Sequence, residues 1–294
     1  MEYTLKSEAL TVVFESFGGE LHSIKDKDGL EYLWQGDKQY WSGQAPVLFP
    51  ICGSLRNDQA EIGHGKITKM PRHGIVRKKE FQFVEKTDDS IVFQIESNEE
   101  LKEQYPYSFR LRIRYTLEGK TITTKYIVEN TSEDEEMPFF IGGHPGFCCP
   151  FYDGESYEDY ELVFEKKETC DVPTPISETG LIDMKHRTPF LKDQNILQLR
   201  HKLFEKDMII LDKLVSRKVT LRGKKHDKGL TLSFKDFPYL MLWSTANKGP
   251  FIALEPWIGL STCSDESDRF EEKRNLQMAK PGENKEYQFD ICVL

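Results

Sequence analysis

The sequence predicts a mostly β protein, a sandwich of two sheets, and three observations carry that prediction. Short runs alternate apolar and polar residues with a period of two, such runs recur along most of the chain, and one stretch alone has a clear helix start and stop. Many short strands with few helices fit a sandwich rather than a βαβ fold.

The elements follow in chain order. A strand is predicted at residues 11–14, then a Gly18-Gly19 turn, a second strand through Leu21 to Ile24, and a turn at Asp26-Lys27-Asp28-Gly29. Strands follow at 81–85 and 90–96. Ser97 with Glu100 forms a capping-box pattern, Leu101 and Tyr105 share one helical face, and Pro106 ends the helix. Phe109, Leu111, Ile113, Tyr115 and Leu117 alternate with Arg110, Arg112, Arg114 and Thr116, which is the pattern of a half-buried strand. The arginines read as a solvated or salt-bridged outer sheet face. Gly119-Lys120 turns the chain into a strand at 121–130. Further strands are predicted at 160–164, 209–211, 218–221, 230–234, 240–244 and 287–293, and a second helix around 196–204. No repeat, low-complexity tract or long linker divides the chain, so residues 1–294 are expected to form a single domain.

Bulk properties narrow the function. The net charge of -9 argues against nucleic acid or an anionic membrane as the main partner, because phosphates repel an acidic surface. No run of about 18 apolar residues suggests a transmembrane helix, and Met1-Glu2-Tyr3-Thr4-Leu5-Lys6 does not look like a signal peptide. The six cysteines form no CxxC pair, so a cytoplasmic protein with reduced thiols is expected. Cys148-Cys149 reads as two small buried hydrophobes. There is no HExxH, GxSxG, P-loop or GxGxxG, and Gly63-His64-Gly65-Lys66 reads as a turn. No metal and no cofactor is expected.

Three short segments concentrate proton-transfer groups beside Gly, Pro or aromatic residues: Arg72-His73-Gly74, Gly142-Gly143-His144-Pro145-Gly146-Phe147 and Leu254-Glu255-Pro256-Trp257. Turns of this kind are where a rigid scaffold presents functional side chains. His144 sits in a tight turn poor in neighbouring side chains. Glu255 follows the apolar run Phe251-Ile252-Ala253-Leu254, where a carboxylate is costly unless used or paired, and where burial raises its pKa toward that of a useful base. The competing readings are a turn histidine bonded to backbone and a strand-end glutamate in a salt bridge. His73 by itself is a polar turn histidine. Arg56 follows a Pro- and Gly-punctuated loop, Asp207 precedes a short apolar strand with Asp212 as a rival, and Trp243 ends an apolar strand.

The same three segments, in the same order, resemble those of the aldose 1-epimerase (galactose mutarotase-like) family, in particular its LacX-like bacterial branch. The resemblance extends over Phe17-Gly18-Gly19-Glu20-Leu21, Glu31-Tyr32-Leu33-Trp34, residues 50–56, His73 to Arg77 and Tyr105-Pro106. It implies a large two-sheet β-supersandwich. It also implies His144 as the acid that protonates the ring oxygen of a sugar, and Glu255 as the base that takes the proton of the anomeric hydroxyl. An acid and a base on opposite sides of the sugar suffice for this chemistry. By the same resemblance, His73 and Arg56 hold the substrate, Asp207 binds sugar hydroxyls, and Arg77, in the segment matching HGxxR, touches substrate or buttresses the site. Trp243 either stacks on a sugar face or belongs to the core. The implied partner is a small sugar, met by a monomer or homodimer. Whether that sugar is free or a hexose 6-phosphate stays open; the latter needs converging cations, for which Arg56, Arg72, Arg77, Lys78 and Lys79 are available. A sugar-binding protein without turnover is the alternative from another class. A glycoside hydrolase, which needs two carboxylates flanking the scissile bond, is a third.

Overall fold

In the computed structural model, which describes residues 1–63 and 65–294, the Phe109–Glu118 strand buries Phe109, Leu111, Ile113, Tyr115 and Leu117 and turns its arginines outward. His64, within the segment read as a turn, lies outside the described residues. The outward arginines form an ion-pair ladder: Arg110 with Glu96 and Glu129, Arg112 with Glu129, and Arg114 with Glu85. Thr121–Asn130 pairs antiparallel with this strand from Thr121↔Glu118 to Asn130↔Phe109, burying Ile122, Thr124, Tyr126 and Val128.

These two strands lie within a nine-stranded antiparallel sheet. Its order is Leu181–Gln198, Tyr160–Ile176, Lys218–Gly223, Gly229–Ser233, Asn284–Val293, Thr121–Asn130, Phe109–Glu118, Ser90–Glu96 and Gln82–Lys86. A six-stranded sheet faces it, built from Ile209–Leu211, Tyr239–Trp243, Phe251–Trp257, Gly142–Gly143 and Val47–Leu48, with Gly146–Cys148 also pairing onto Phe251–Trp257. Every residue of Phe251–Trp257 is buried, as expected of a strand covered on both faces. The apolar faces of the two sheets meet, with the Phe49 and Phe109 rings 4.9 Å apart. This is the two-sheet architecture expected. A smaller sheet of Glu2–Lys6, Leu10–Glu15 and Glu20–Asp26 is tied on by the Tyr115 hydroxyl, which donates to the Gly19 carbonyl at 2.8 Å.

Three local expectations change. The helix spans Glu99–Gln104 and its cap is Asn98, whose side chain accepts the Leu101 N–H at 2.9 Å; the Ser97 hydroxyl accepts from Phe109 N–H instead. Asn and Ser cap comparably well, and Asn98 stands one residue nearer the first turn. Residues 196–204 do not form an α-helix. Ile196 and Leu197 pair with Val163 and Leu162, and one 3-10 turn follows at His201–Phe204, so sheet pairing overrides the local pattern. The strand expected at 160–164 continues to Ile176 and, with Leu181–Gln198, forms a long hairpin. Four register shifts break its alternation, which hides it in the sequence.

Candidate active site

A cavity of about 220 Å³ lies over the six-stranded sheet, lined by residues on or beside its strands. His144 reaches it from the break between Gly142–Gly143 and Gly146–Cys148, its backbone N–H held by the Pro46 carbonyl at 3.1 Å. The two halves of this interrupted strand pair with neighbouring strands, so the His144-Pro145 corner is pinned on both sides. Gly143 has no room for a side chain: a Cβ would fall 2.9 Å from both the Tyr126 hydroxyl and the Phe289 ring of the facing sheet. The two sheets therefore touch directly behind His144.

Glu255 lies on Phe251–Trp257, opposite Met241 of Tyr239–Trp243. It projects into the same cavity as Trp257 and Trp243. Its Oε2 stands 3.2 Å from Nε2 of His144, and the two side chains are 1% and 9% exposed. The expected acid and base thus stand side by side on the cavity wall rather than across the cavity. Burial drives both groups toward their neutral forms. It pushes the Glu255 carboxyl well above the usual carboxylate range and His144 down to about 3. Glu255 Oε2 is buried without a hydrogen bond among the described residues, so the contact is close without being a bond; neutral acid beside neutral imidazole and carboxylate beside imidazolium differ only in where one proton sits. Nδ1 of His144 is buried without a hydrogen-bond partner among the described residues.

His73 completes the floor. Its backbone N–H donates to the Gly53 carbonyl at 2.8 Å, and its Nδ1 accepts from the Gly53 N–H at 3.1 Å. An accepting Nδ1 fixes the tautomer that carries its proton on Nε2. Burial, reinforced by His144, Arg77 and Arg72, holds His73 well below its usual pKa, so it is a neutral donor. Its ring meets those of His144 and Trp257 edge to face, at 5.3 and 5.5 Å. The next residue, Gly74, has φ of +82°, and a Cβ there would lie 2.0 Å from the Phe49 carbonyl oxygen, which explains the glycine after His73.

His73 and Asp207 both sit at positive φ, +69° and +102°. Non-glycine residues rarely occupy that region, and such strain clusters at functional sites. Asp207 follows the His201–Phe204 turn. One carboxylate oxygen accepts from Met208 N–H at 2.8 Å, while the residue lines the cavity. Asp212, its rival, does not: Arg187 grips it with two bonds of 2.7 and 3.0 Å in a part-buried ion pair.

All the expected site residues except Arg56 line this cavity. Arg56 does not line the cavity; its guanidinium pairs with Asp268 and bonds the carbonyls of Cys263, Ser264 and Glu266. Of the other cations considered, Arg72 and Arg77 line the cavity, whereas Lys78 is exposed and Lys79 pairs with Glu100. Trp41 was not singled out by the sequence. It forms a wall, its ring 4.8 Å from that of His144 and 5.4 Å from Trp243. Its only sequence signal is a large aromatic in a loop of Gly, Ser, Gln and Asp. Trp243 is half-buried at the cavity edge, a position that suits stacking as well as packing. Cys149 is buried and Cys148 half-buried, burial raising both thiols above their usual range, as small hydrophobes require. No group of three or more metal-ligating side chains occurs among the described residues, and no helix of theirs is long and apolar enough to cross a membrane.

The family model described as aldose 1-epimerase matches residues 1–278. The chain is 51% identical over 298 residues to the plasmid LacX protein of Lactococcus lactis subsp. lactis, with both chains covered completely. Among solved structures, it resembles a galactose mutarotase related enzyme from Lactobacillus acidophilus at TM-score 0.94 and 30% identity, over 100% of this chain and 97% of that one. A galactose mutarotase-like protein from Lactobacillus casei gives TM-score 0.88 and 30% identity over the whole of both chains.

Proposed function

Because the chain belongs to the aldose 1-epimerase family, we propose that it interconverts the α and β anomers of an aldose, with His144 and Glu255 moving the protons. The observation that carries this reading is the buried contact between His144 Nε2 and Glu255 Oε2 on the cavity wall. Anomerisation breaks the bond between C1 and the ring oxygen. The anomeric hydroxyl must lose a proton and the ring oxygen must gain one, and both oxygens are attached to the same carbon. Adjacent acid and base are therefore well suited to the task.

In its reactive form the pair is a Glu255 carboxylate and a His144 imidazolium. Glu255 takes the proton from the C1 hydroxyl as C1=O forms, and His144 gives its proton to the departing ring oxygen. Rotation about C1–C2 presents the other carbonyl face, and the steps reverse. Each proton transfer of this kind contributes roughly 10²–10⁴-fold. His73 donates a hydrogen bond from Nε2, Asp207 accepts from sugar hydroxyls, and Trp41 and Trp243 flank the apolar face of the ring. The cavity, at about 220 Å³, lies below the roughly 300–1,000 Å³ typical of drug-sized ligands, which favours a monosaccharide.

The test is polarimetric relaxation of freshly dissolved α-glucose and α-galactose, with NMR exchange between anomers for their 6-phosphates. Acceleration by the protein that is lost in His144→Ala supports the reading. A folded wild-type protein that accelerates none of the four overturns it in favour of a sugar binder or an epimerase of another aldose.

A further inference from the structure

His144 is walled in by rings. The Trp41 indole lies 4.8 Å from its imidazole, centroid to centroid, with the planes tilted by 34°, so the faces of the two rings overlap. The Trp243 and His73 rings meet it near a right angle, at 5.6 and 5.3 Å. Trp41 is held in this position by its backbone and by two glycines. Its N–H donates to the Asp37 carbonyl at 2.9 Å, and its carbonyl accepts from Trp34 Nε1 at 2.8 Å. A Cβ on Gly43 or on Gly146 would lie 2.7 Å from the Trp41 ring, so both residues leave room for the indole. Gly146 also follows the His144-Pro145 corner, so one short turn places the imidazole and makes space for the ring that covers it.

The proposed mechanism needs a charged His144, and the cavity is a poor place for one. Burial above all opposes the imidazolium, and the Arg77 and Arg72 charges add to that opposition. Glu255 balances the charge only as a carboxylate, a form that burial disfavours too. An indole face is electron-rich and attracts a cation within about 6 Å of its centroid, most strongly where water is excluded. A neutral imidazole receives no comparable attraction. The overlap with Trp41 therefore favours the form of His144 that can give a proton to the ring oxygen.

On the premise that the protein interconverts anomers, we propose that Trp41 is a positioning residue whose indole face stabilises the imidazolium of His144 and so raises the population of the reactive Glu255–His144 pair. This role is separable from flanking the sugar. A sugar platform binds ground state and transition state alike and acts on KM, whereas stabilising the imidazolium acts on kcat.

The test replaces Trp41 alone with mono-, di- and trifluorotryptophan by stop-codon suppression, which drains the π face and keeps the shape of the ring. Anomer exchange is followed by NMR with whichever of glucose, galactose and their 6-phosphates the wild-type protein turns over fastest. The deciding quantity is kcat at saturating sugar. It should fall in step with the number of fluorines, by about tenfold in all, the scale of a desolvated cation–π contact. A flat kcat across the series overturns the inference, and if KM alone rises, Trp41 is a sugar platform and nothing more. Trp41→Phe and Trp41→Leu make the same comparison by substitution, should a fluorinated chain not fold. The phenyl ring should keep several-fold more kcat than the aliphatic side chain of similar volume, and equal values would again overturn the inference. Folded wild-type protein that accelerates none of the four sugars overturns the anomerase reading itself, and this inference with it.

Discussion

His144 Nε2 and Glu255 Oε2 lie 3.2 Å apart in a pocket that hides both side chains from solvent. The two residues are far apart in sequence and are brought together because the Gly142–Gly143 and Gly146–Cys148 segments both pair with the strand that carries Glu255. Under the proposed mechanism the two act as one unit, and a unit has a signature in mutagenesis. Glu255→Gln and His144→Ala should each lower kcat about 10²–10⁴-fold. The double variant should fall little further than the worse single, since removing either member already disables proton exchange. Polarimetry on the three variants checks this; losses that multiply would mean that the two residues act independently.

The pH profile should not look like that of a solvent-exposed histidine. Burial takes His144 down to about 3, and takes Glu255 well above the ordinary carboxylate range. The pair therefore gains a second proton only in strong acid, and loses its single proton only far above the pH at which carboxylates usually ionise. The kcat/KM for mutarotation should stay level through neutral pH and fall on the acid side with an apparent pKa near 3. The stability term has a matching sign. Below about 4.5 an unfolded chain protonates both His144 and Glu255 while the folded pair keeps a single proton, so stability is lost as the pH falls from about 4.5 toward 3. Rates should accordingly be read with circular dichroism alongside. An acid limb near pH 6.5 in folded protein would show His144 to be solvated rather than buried.

Gly143 is expected to be among the least replaceable positions in the molecule. A Cβ would sit 2.9 Å from Tyr126 and from Phe289, both packed in the opposite sheet, so neither can withdraw cheaply. Gly143→Ala should destabilise the fold by about 1–3 kcal/mol, the usual cost of overpacking. It should also lower kcat, because the strain is relieved by moving the His144 corner. Urea denaturation and polarimetry of the variant test both parts. Wild-type stability would mean that the sheets behind His144 are less tightly apposed than 2.9 Å implies.

Much of this was legible in the chain, and what was not has identifiable causes. The Phe109–Glu118 and Thr121–Asn130 strands have one buried and one solvated face, so period-two alternation reports them directly. His144 and Glu255 stood out because Gly and Pro isolate the one and an apolar run encloses the other. The 160–198 hairpin was hidden by its bulges. Asp207 and Asp212 flank the same Ile209–Leu211 strand and look alike locally. What separates them is Arg187, contributed by that hairpin, and the positive φ of Asp207, neither of which is written in the neighbouring residues. Arg72 and Trp41 enter the cavity from irregular backbone, where no periodicity announces which way a side chain points.

Arg56 offers the sharpest contrast between pattern and placement. Its position after the Pro50-Ile51-Cys52-Gly53 loop suited a sugar-binding arginine, but the loop turns it toward residues 263–268 instead. There it does structural work: one guanidinium nitrogen pairs with Asp268 and another bonds the carbonyls of Cys263, Ser264 and Glu266, clamping a segment that follows the strand carrying Glu255. The ion pair is part-exposed and worth up to about 1 kcal/mol, and the carbonyl bonds raise the expected cost of Arg56→Ala to about 1–2 kcal/mol. Because no part of this clamp faces the cavity, kcat/KM at temperatures where the variant is folded should stay within about twofold of wild type, a shift of under 0.5 kcal/mol. Thermal denaturation with parallel anomer-exchange kinetics decides the matter. A variant of normal stability whose KM rises tenfold would return Arg56 to the sugar site and require the 263–268 segment to open when substrate binds.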